Sequence, residues 1–162
     1  MQQTNSLKII KQLGFTVTNY IEDQESKAYL ACQYNLNGLK IIGRTAKMTP
    51  KKIGQFVTFW KRSDKGPIMP FEESDQFDFL IITVRSADYL GQFIFPQSVL
   101  IKKGIVTNIT KEGKRAFRVY PPWDKPVSKQ AIASQKWQVK YFYEINDKTN
   151  KNDVEQLLKQ RD

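Results

Sequence analysis

The sequence predicts one α/β (α+β) domain, built on a central β-sheet with a helix or a second layer over each face, and three observations carry that reading. Asp78 to Arg85 is apolar at Phe79, Leu80, Ile81, Ile82 and Val84. Both faces of such a strand must be covered, which places it at the centre of a sheet. Two strand-like runs, Ala28 to Tyr34 and Lys40 to Arg44, flank Asn35-Leu-Asn-Gly38, and Asn-Gly is a strong short-range hairpin signal. At 162 residues and 40% hydrophobic content, the chain is long enough to bury well over half of its unfolded surface without staples.

The remaining elements follow in order. Ser6 to Leu13 reads as a short helix: Ser6 caps it, Leu7, Ile10 and Leu13 share a face, and Gly14 stops it. Phe15 to Ile21 is a first strand or a helix lead-in. Thr45 to Ile53 reads as a basic loop broken by Pro50. Gln55 to Arg62 reads as a strand with Phe56, Thr58 and Trp60 on one face and Val57, Phe59 and Lys61 on the other. A charged loop then leads into the central strand.

After it, Gln92 to Pro96 is a short strand that proline must end, and Gln97 to Lys103 is a short helix or turn. Ile105 to Ile109 and Arg115 to Tyr120 read as strands; in the second, Arg118 and Tyr120 lie side by side. Three prolines make Tyr120 to Val127 a rigid link. A helix follows from about Ser128, with Lys129, Ala133, Lys136 and Lys140 on one stripe and Ile132, Val139 and Phe142 toward the core. Alternation from Trp137 to Ile145 equally supports a short helix followed by a strand. Residues 146–162 read as a frayed tail helix through Val154, Leu157 and Leu158. Residues 1–162 form a single unit, with no repeat and no boundary.

Composition narrows the chemistry. Cys32 has no partner in the chain and reads as a buried small hydrophobe, and with no His there is no zinc-ligand spacing and no His-dependent triad. Neither metal nor cofactor is expected. No apolar run approaches the roughly 20 residues of a membrane span, and the start MQQTNS lacks a signal-peptide pattern. A soluble, cytoplasmic protein with no membrane partner is the expectation. Lys and Arg number 26 against 16 Asp and Glu, for a net charge of +10. Such a surplus favours polyanions, nucleic acid foremost.

The charge is segregated. Seven basic residues and no acidic one lie between Ala28 and Arg62: Lys40, Arg44, Lys47, Lys51, Lys52, Lys61 and Arg62. Ten basic residues against Glu112 and Asp124 lie between Ile101 and Lys140. Aromatic residues alternate with them: Trp60 beside Lys61 and Arg62, Tyr120 near Arg118, Trp123 beside Lys125, Trp137 and Tyr141 around Lys136 and Lys140. Cations neutralise phosphates, and exposed rings stack on unpaired bases. The nucleic-acid-binding set is therefore Arg44, Lys47, Lys51, Lys52, Lys61 and Arg62 from the first segment. From the second it is Lys114, Arg115, Arg118, Tyr120, Trp123, Lys125, Lys129, Lys136 and Lys140. Trp60 and Trp137 are core residues at least as readily as platforms; Tyr120 and Trp123, in the proline-rich link, are the better stacking candidates.

Several segments together resemble the MepB family: RTAKMTPKKIGQFVTFWKR (Arg44 to Arg62), DFLIITVR, GQFIFPQSVL (Gly91 to Leu100), GKRAFRVYPPWD (Gly113 to Asp124) and ASQKWQVKYF (Ala133 to Phe142). The resemblance spans nearly the whole chain. MepB proteins are small intracellular proteins, encoded in staphylococci beside a multidrug efflux pump and its repressor. The resemblance implies a PD-(D/E)XK (restriction-endonuclease-like) core, a mixed sheet flanked by helices, a link to multidrug resistance, and no defined enzymatic activity.

Metal-dependent phosphodiester cleavage needs carboxylates on adjacent strands and a lysine near the attacking water. Asp78 opens the central strand, but the triplet expected on the next one is Gln92-Phe93-Ile94, without carboxylate or lysine. Lys61 could supply the lysine from a neighbouring strand, leaving Asp78, Gln92 and Lys61 as a degenerate set. The triplets Glu25-Ser-Lys27 and Glu112-Gly-Lys114 lie in connections, and Glu72, Glu73, Asp75 and Asp78 read as a solvated loop. The leading expectation is a non-catalytic protein binding nucleic acid with little sequence preference, favouring single-stranded DNA or RNA over duplex DNA. A Mg²⁺-dependent nuclease using Asp78 and Lys61, and a protein-interaction or anionic-ligand module, are the alternatives.

Overall fold

The computed structural model describes residues 6–160. In chain order, helix α1 (Ser6–Gln12) precedes strands β1 (Val17–Glu22), β2 (Cys32–Leu36), β3 (Leu39–Thr45), β4 (Lys47–Thr49) and β5 (Lys52–Thr58). The short strands β6 (Lys61–Arg62) and β7 (Ile68–Met69) follow, then β8 (Phe79–Arg85), β9 (Leu90–Pro96) and α2 (Gln97–Lys102). The chain continues through β10 (Ala116–Val119), α3 (Lys129–Gln138), β11 (Phe142–Glu144) and α4 (Lys151–Leu158).

The two-sided apolar run becomes β8, buried at every position but Arg85. It lies inside a six-stranded sheet of order β1-β2-β3-β8-β9-β11, parallel to β3 and antiparallel to β9. Side chains alternate across the strand, so Phe79 and Ile81 join one core while Leu80, Ile82 and Val84 join another. Helices α1 and α4 close the first side through Ile10, Val154, Leu157 and Leu158. The second side is covered by a three-stranded sheet of order β10-β5-β4, through Val57, Phe59, Phe117 and Val119, and by Val99 and Leu100 of α2. Each such side chain contributes about 1.5–3 kcal/mol on burial. The expected mixed sheet flanked by helices is present.

The hairpin forms at the predicted turn, with Cys32 opposite Gly43 and Leu36 opposite Leu39, but its first strand starts at Cys32, not Ala28, because Lys27–Tyr29 form a 3₁₀ turn that ends on Leu30 at positive φ. Asn37 and Gly38 both take positive φ, 50° and 78°, as a two-residue type I′ turn requires. Cys32 is fully buried, and loss of hydration raises its thiol from 9.0 to about 11. The first helix carries its apolar residues inward, but the Ser6 hydroxyl faces Tyr34 and Cys32 rather than the helix end alone: Tyr34 donates to it at 3.3 Å.

Several elements differ from expectation. The Thr45 to Ile53 loop is a hairpin, β4 and β5 turning at Pro50 and Lys51. The strand expected over Gln55 to Arg62 stops at Thr58, and it belongs to the second sheet, not beside β8. Its alternation survives, with Val57 and Phe59 fully buried and Phe56 and Thr58 half-buried. Ile105 to Ile109 is not a strand; only Thr107 bridges to Glu72, and the Asn108 side chain accepts from Thr110 N and Lys111 N to form a turn.

Toward the end of the chain, the helix-then-strand reading holds: α3 is capped by Ser128 accepting from Ala131 N at 3.1 Å, and β11 joins β9. Ile132 is 49% exposed, because the inward stripe of α3 is formed by Gln135, Trp137 and Gln138; the Gln135 amide donates to Pro121 O and Asp124 O, and the Gln138 amide to Arg118 O of β10. Among the described residues the tail forms the capped helix α4 rather than a frayed one. Asn150 and Asp153 form a reciprocal capping box, and Val154, Leu157 and Leu158 are buried against the large sheet. Among the described residues no helix is long and apolar enough to cross a membrane.

Candidate nucleic-acid interface

Strand β10 pairs with β5, setting Arg118 opposite Phe56 and Ala116 opposite Thr58. The alternate residues of this sheet face the core, so Phe56, Ala116 and Arg118 form its outer face. Alongside runs α3, and between them lies a groove of about 420 Å³. Lys52, Lys103, Lys114 and Arg118 line it with Tyr120 and Trp137, and the lining contains no carboxylate. The two basic segments of the sequence thus meet on one surface, through Lys52 from the first and Lys103, Lys114 and Arg118 from the second.

Arg118 has a structural task as well. The β4–β5 register slips between Met48 and Thr49, leaving Ile53 and Gly54 as extra residues in β5. Gly54 sits at φ 87°, and a Cβ there would lie 2.6 Å from the Tyr120 ring, so only glycine lets that ring lie on the bulge. The Arg118 guanidinium donates to the carbonyls of Ile53 (3.2 Å), Gly54 (3.1 Å) and Lys52 (3.4 Å), and to Thr49 Oγ1 at 2.6 Å. Its geometry is fixed by the fold while its charge stays unpaired by any salt bridge among the described residues. Burial raises the pKa of the nearby Asp124 carboxyl, and the Arg118 charge opposes that rise.

Gln138, which the sequence reading did not single out, fixes the groove's other wall. Its buried amide accepts from Tyr120 N at 2.8 Å and donates to Arg118 O at 3.0 Å, satisfying the outer edge of β10. Lys103 was likewise missed as a site residue; its ammonium lies 5.5 Å from the Trp137 ring centre. Trp137 is partly buried, packed on Phe95 at 5.3 Å, and presents only part of its ring to the groove. Lys103 could have been found from its place in the second basic segment; nothing in the sequence marks Gln138.

The other predicted residues are dispersed. Arg44 is 3% exposed: its guanidinium donates to Gly43 O and Thr58 O and pairs with Asp23 at 3.7 Å, tying the two sheets together. Burial lowers its pKa, and Asp23 opposes the change. It cannot reach a phosphate. Arg44→Met should lower stability by about 2 kcal/mol, as loss of hydrogen-bonded partners does, and leave the salt dependence of oligonucleotide binding unchanged; urea unfolding and anisotropy check the two halves.

Lys61 is held by Asp75 at 2.9 Å and Glu72 at 3.5 Å; partial burial opposes, but these carboxylates outweigh it and raise the ammonium's pKa. Arg62 embraces Glu25 through Nε and Nη2 and lies over Trp60 at 5.7 Å, its hydrogen bonds holding the Glu25 carboxyl below its usual range. Arg115 pairs with Glu112 at 3.2 Å. Lys47 sits over the Tyr29 ring at 5.0 Å, and Lys51 is exposed at the β4–β5 turn. Lys125, Lys129, Lys136 and Lys140 are exposed, but the α3 residues lining the groove are Gln130, Ala131, Ser134, Trp137 and Gln138, a different stripe. Trp123 is no open platform. Its ring is stacked on Tyr89 at 4.9 Å and edge-on to Phe142, and its indole N–H is buried without a partner among the described residues.

The degenerate nuclease set does not converge. Phe79 pairs with Pro96 and Thr83 with Gln92, so Asp78 stands beside Gln97, whose N–H donates to Asp78 O at 3.0 Å. Gln92 lies five residues further along, about 17 Å at strand spacing. It is fully buried, donating to Thr83 Oγ1 at 3.1 Å and accepting from the Tyr143 hydroxyl. Asp78 Oδ2 accepts from Lys40 N at 2.8 Å. Antiparallel pairing of β9 is the reason the expected triplet falls at the wrong end. No group of three or more Cys, Asp or Glu among the described residues is placed to hold a metal ion.

Fold and groove together define a basic α+β protein, with a central mixed sheet and a cationic cleft built on a second sheet. The chain belongs to the MepB-like family, which matches residues 23–144. A solved structure described as the crystal structure of MepB is 37% identical; the match covers 88% of this chain and 95% of that one, with a TM-score of 0.80. No curated protein matches.

Proposed function

We propose that the protein binds nucleic acid without cleaving it, on a nuclease-like core lacking an intact PD-(D/E)XK motif, and that the groove between β10 and α3 is the contact surface. The single observation that carries this reading is the groove's lining: Lys52, Lys103, Lys114 and Arg118 with no carboxylate among them. Cations so placed neutralise successive phosphates and release counterions, whatever the sequence. Tyr120 and Trp137 offer partial ring surface, which unpaired bases can use and a stacked duplex cannot. Single-stranded DNA and RNA are therefore the preferred partners, with duplex DNA weaker and base preference small. A cytoplasmic place of action and an indirect part in the multidrug resistance response belong to the same reading.

The test is fluorescence anisotropy with labelled single-stranded DNA, RNA and duplex DNA across a salt series, followed by a gel of the same mixtures after incubation with Mg²⁺ or Mn²⁺. Tight binding at low salt, a steep salt slope and intact oligonucleotides are expected. Metal-dependent fragments, abolished by Asp75→Asn, would assign a nuclease to the cluster of Lys61, Glu72 and Asp75 instead. Affinity for neither nucleic acid at low salt would retire both readings in favour of an anionic small molecule or an acidic protein.

A further inference from the structure

On the side of the large sheet that carries β5 and Phe71, the second sheet and the 71–77 segment cover β3, β8 and β9 but leave β1 and β2 open. A trough of about 510 Å³ results. Its floor is set by strand register: Gln33 lies between Ile21 of β1 and Ile42 of β3, and Asn35 lies opposite Lys40. Asn19 enters from the irregularity in β1, where pairing breaks between Thr18 and Ile21 and φ is 56°. Phe71, Asp75, Gln76 and Phe77 form the facing wall.

Three carboxamides, Asn19, Gln33 and Asn35, therefore line one trough, and among the described residues none of their side chains has a hydrogen-bond partner. Beside them stand Ile21, 60% exposed, and the rings of Phe71 and Phe77. Lys61 is matched by Asp75 at 2.9 Å, while Lys40 Nζ donates to the uncharged Gln76 Oε1 at 3.4 Å and keeps its charge at the rim. That one remaining ammonium disfavours a metal ion, and the rest of the lining is uncharged. The trough suits a flat, neutral ligand with apolar faces and an edge that both donates and accepts.

We infer that this trough is a nucleobase site, with adenine the best fit, because the carboxamide of Asn or Gln is complementary to the donor and acceptor pair on one adenine edge. The base could belong to a free nucleoside or to an unpaired residue of a strand. The second source rests on the nucleic-acid reading; the first does not. Two of the trough's residues, Asn19 and Ile21, lie outside the family's matched span.

The experiment is a calorimetric titration with adenosine, uridine and ribose. Saturable adenosine binding, stronger than uridine and absent for ribose, is expected. Gln33→Glu and Asn35→Asp keep side-chain shape but replace amide donors with acceptors, and each should weaken adenosine by about tenfold, the value of one good paired contact. Thermal melts confirm that these variants fold. Lys114→Gln should leave adenosine binding unchanged, which separates this site from the groove. Equal binding of ribose, absence of saturable adenosine binding at millimolar concentration, or wild-type affinity in both variants would overturn the inference. Anisotropy at high salt then identifies the source: an adenine placed within oligouridine strengthens binding if the base comes from a strand, whereas adenosine binding without that gain assigns the free nucleoside.

Discussion

Replacing Lys52, Lys103 and Lys114 together by Gln should weaken binding to an unstructured oligonucleotide by about two orders of magnitude at ~0.1 M salt, and should flatten its salt dependence. Each phosphate contact with a single strand contributes about 0.7 to the slope of log K against log salt, so losing three lowers the slope by about 2. The same product, evaluated against a 1 M reference, gives the loss in affinity. All three ammonium groups are exposed, none has a salt-bridge partner among the described residues, and Gln preserves much of each stem, so folding should be unaffected. Arg118 is unsuitable for this test. Its guanidinium satisfies the carbonyls of the β5 bulge, and its removal would disturb Tyr120 and the groove floor along with the charge. Substituting Lys125, Lys129 and Lys136, from the proline-rich link and the outer stripe of α3, is the control. An unchanged slope in the groove variant, or an equal loss in the control, would move the contact surface elsewhere.

Phe59→Ala should cost about 3–5 kcal/mol of stability, the usual range for emptying a core phenylalanine site. Its ring is fully buried, stacked on Phe71 at 4.4 Å and set edge-on to Phe77 at 6.0 Å and Phe117 at 6.4 Å. It fastens the second sheet, and so the groove, to the 71–77 segment that walls the trough. The site is enclosed by large rings from two separate segments, 71–77 and β10, which leaves little freedom to collapse into the void. A fall of ~10 °C or more in Tm is expected for a chain of this size, and Phe59→Leu should recover much of it. A loss below ~1 kcal/mol would mean that the two sheets are held by other contacts, Arg44 foremost.

The fold was legible wherever one local signal dominated. The apolar run from Phe79 to Val84 could only be a central strand, and Asn37-Gly38 could only be a tight turn. Pairing partners were not legible, because alternation identifies a strand and its faces but not the sheet it joins. That is why Phe56 and Phe59 fell on the correct faces of a strand whose second sheet was not foreseen, and why Gln92 was set against Asp78. The Asn150 and Asp153 capping box was present in the tail and was overlooked behind its polar composition. At the candidate site, net charge and the neighbourhood of Arg118 and Tyr120 pointed to the groove. Charge alone could not separate exposed lysines from Arg44, Lys61 and Arg62, whose acidic partners lie 11 to 37 residues away in sequence.

Helices α1 and α4 pack on the same side of the six-stranded sheet, which is the side turned away from β5 and β10. The outward face of these helices, which carries exposed residues such as Lys11 and Asn152, therefore takes no part in either proposed binding site. A label or surface linkage placed on that face would hold the molecule by its back, with groove and trough still open to solution.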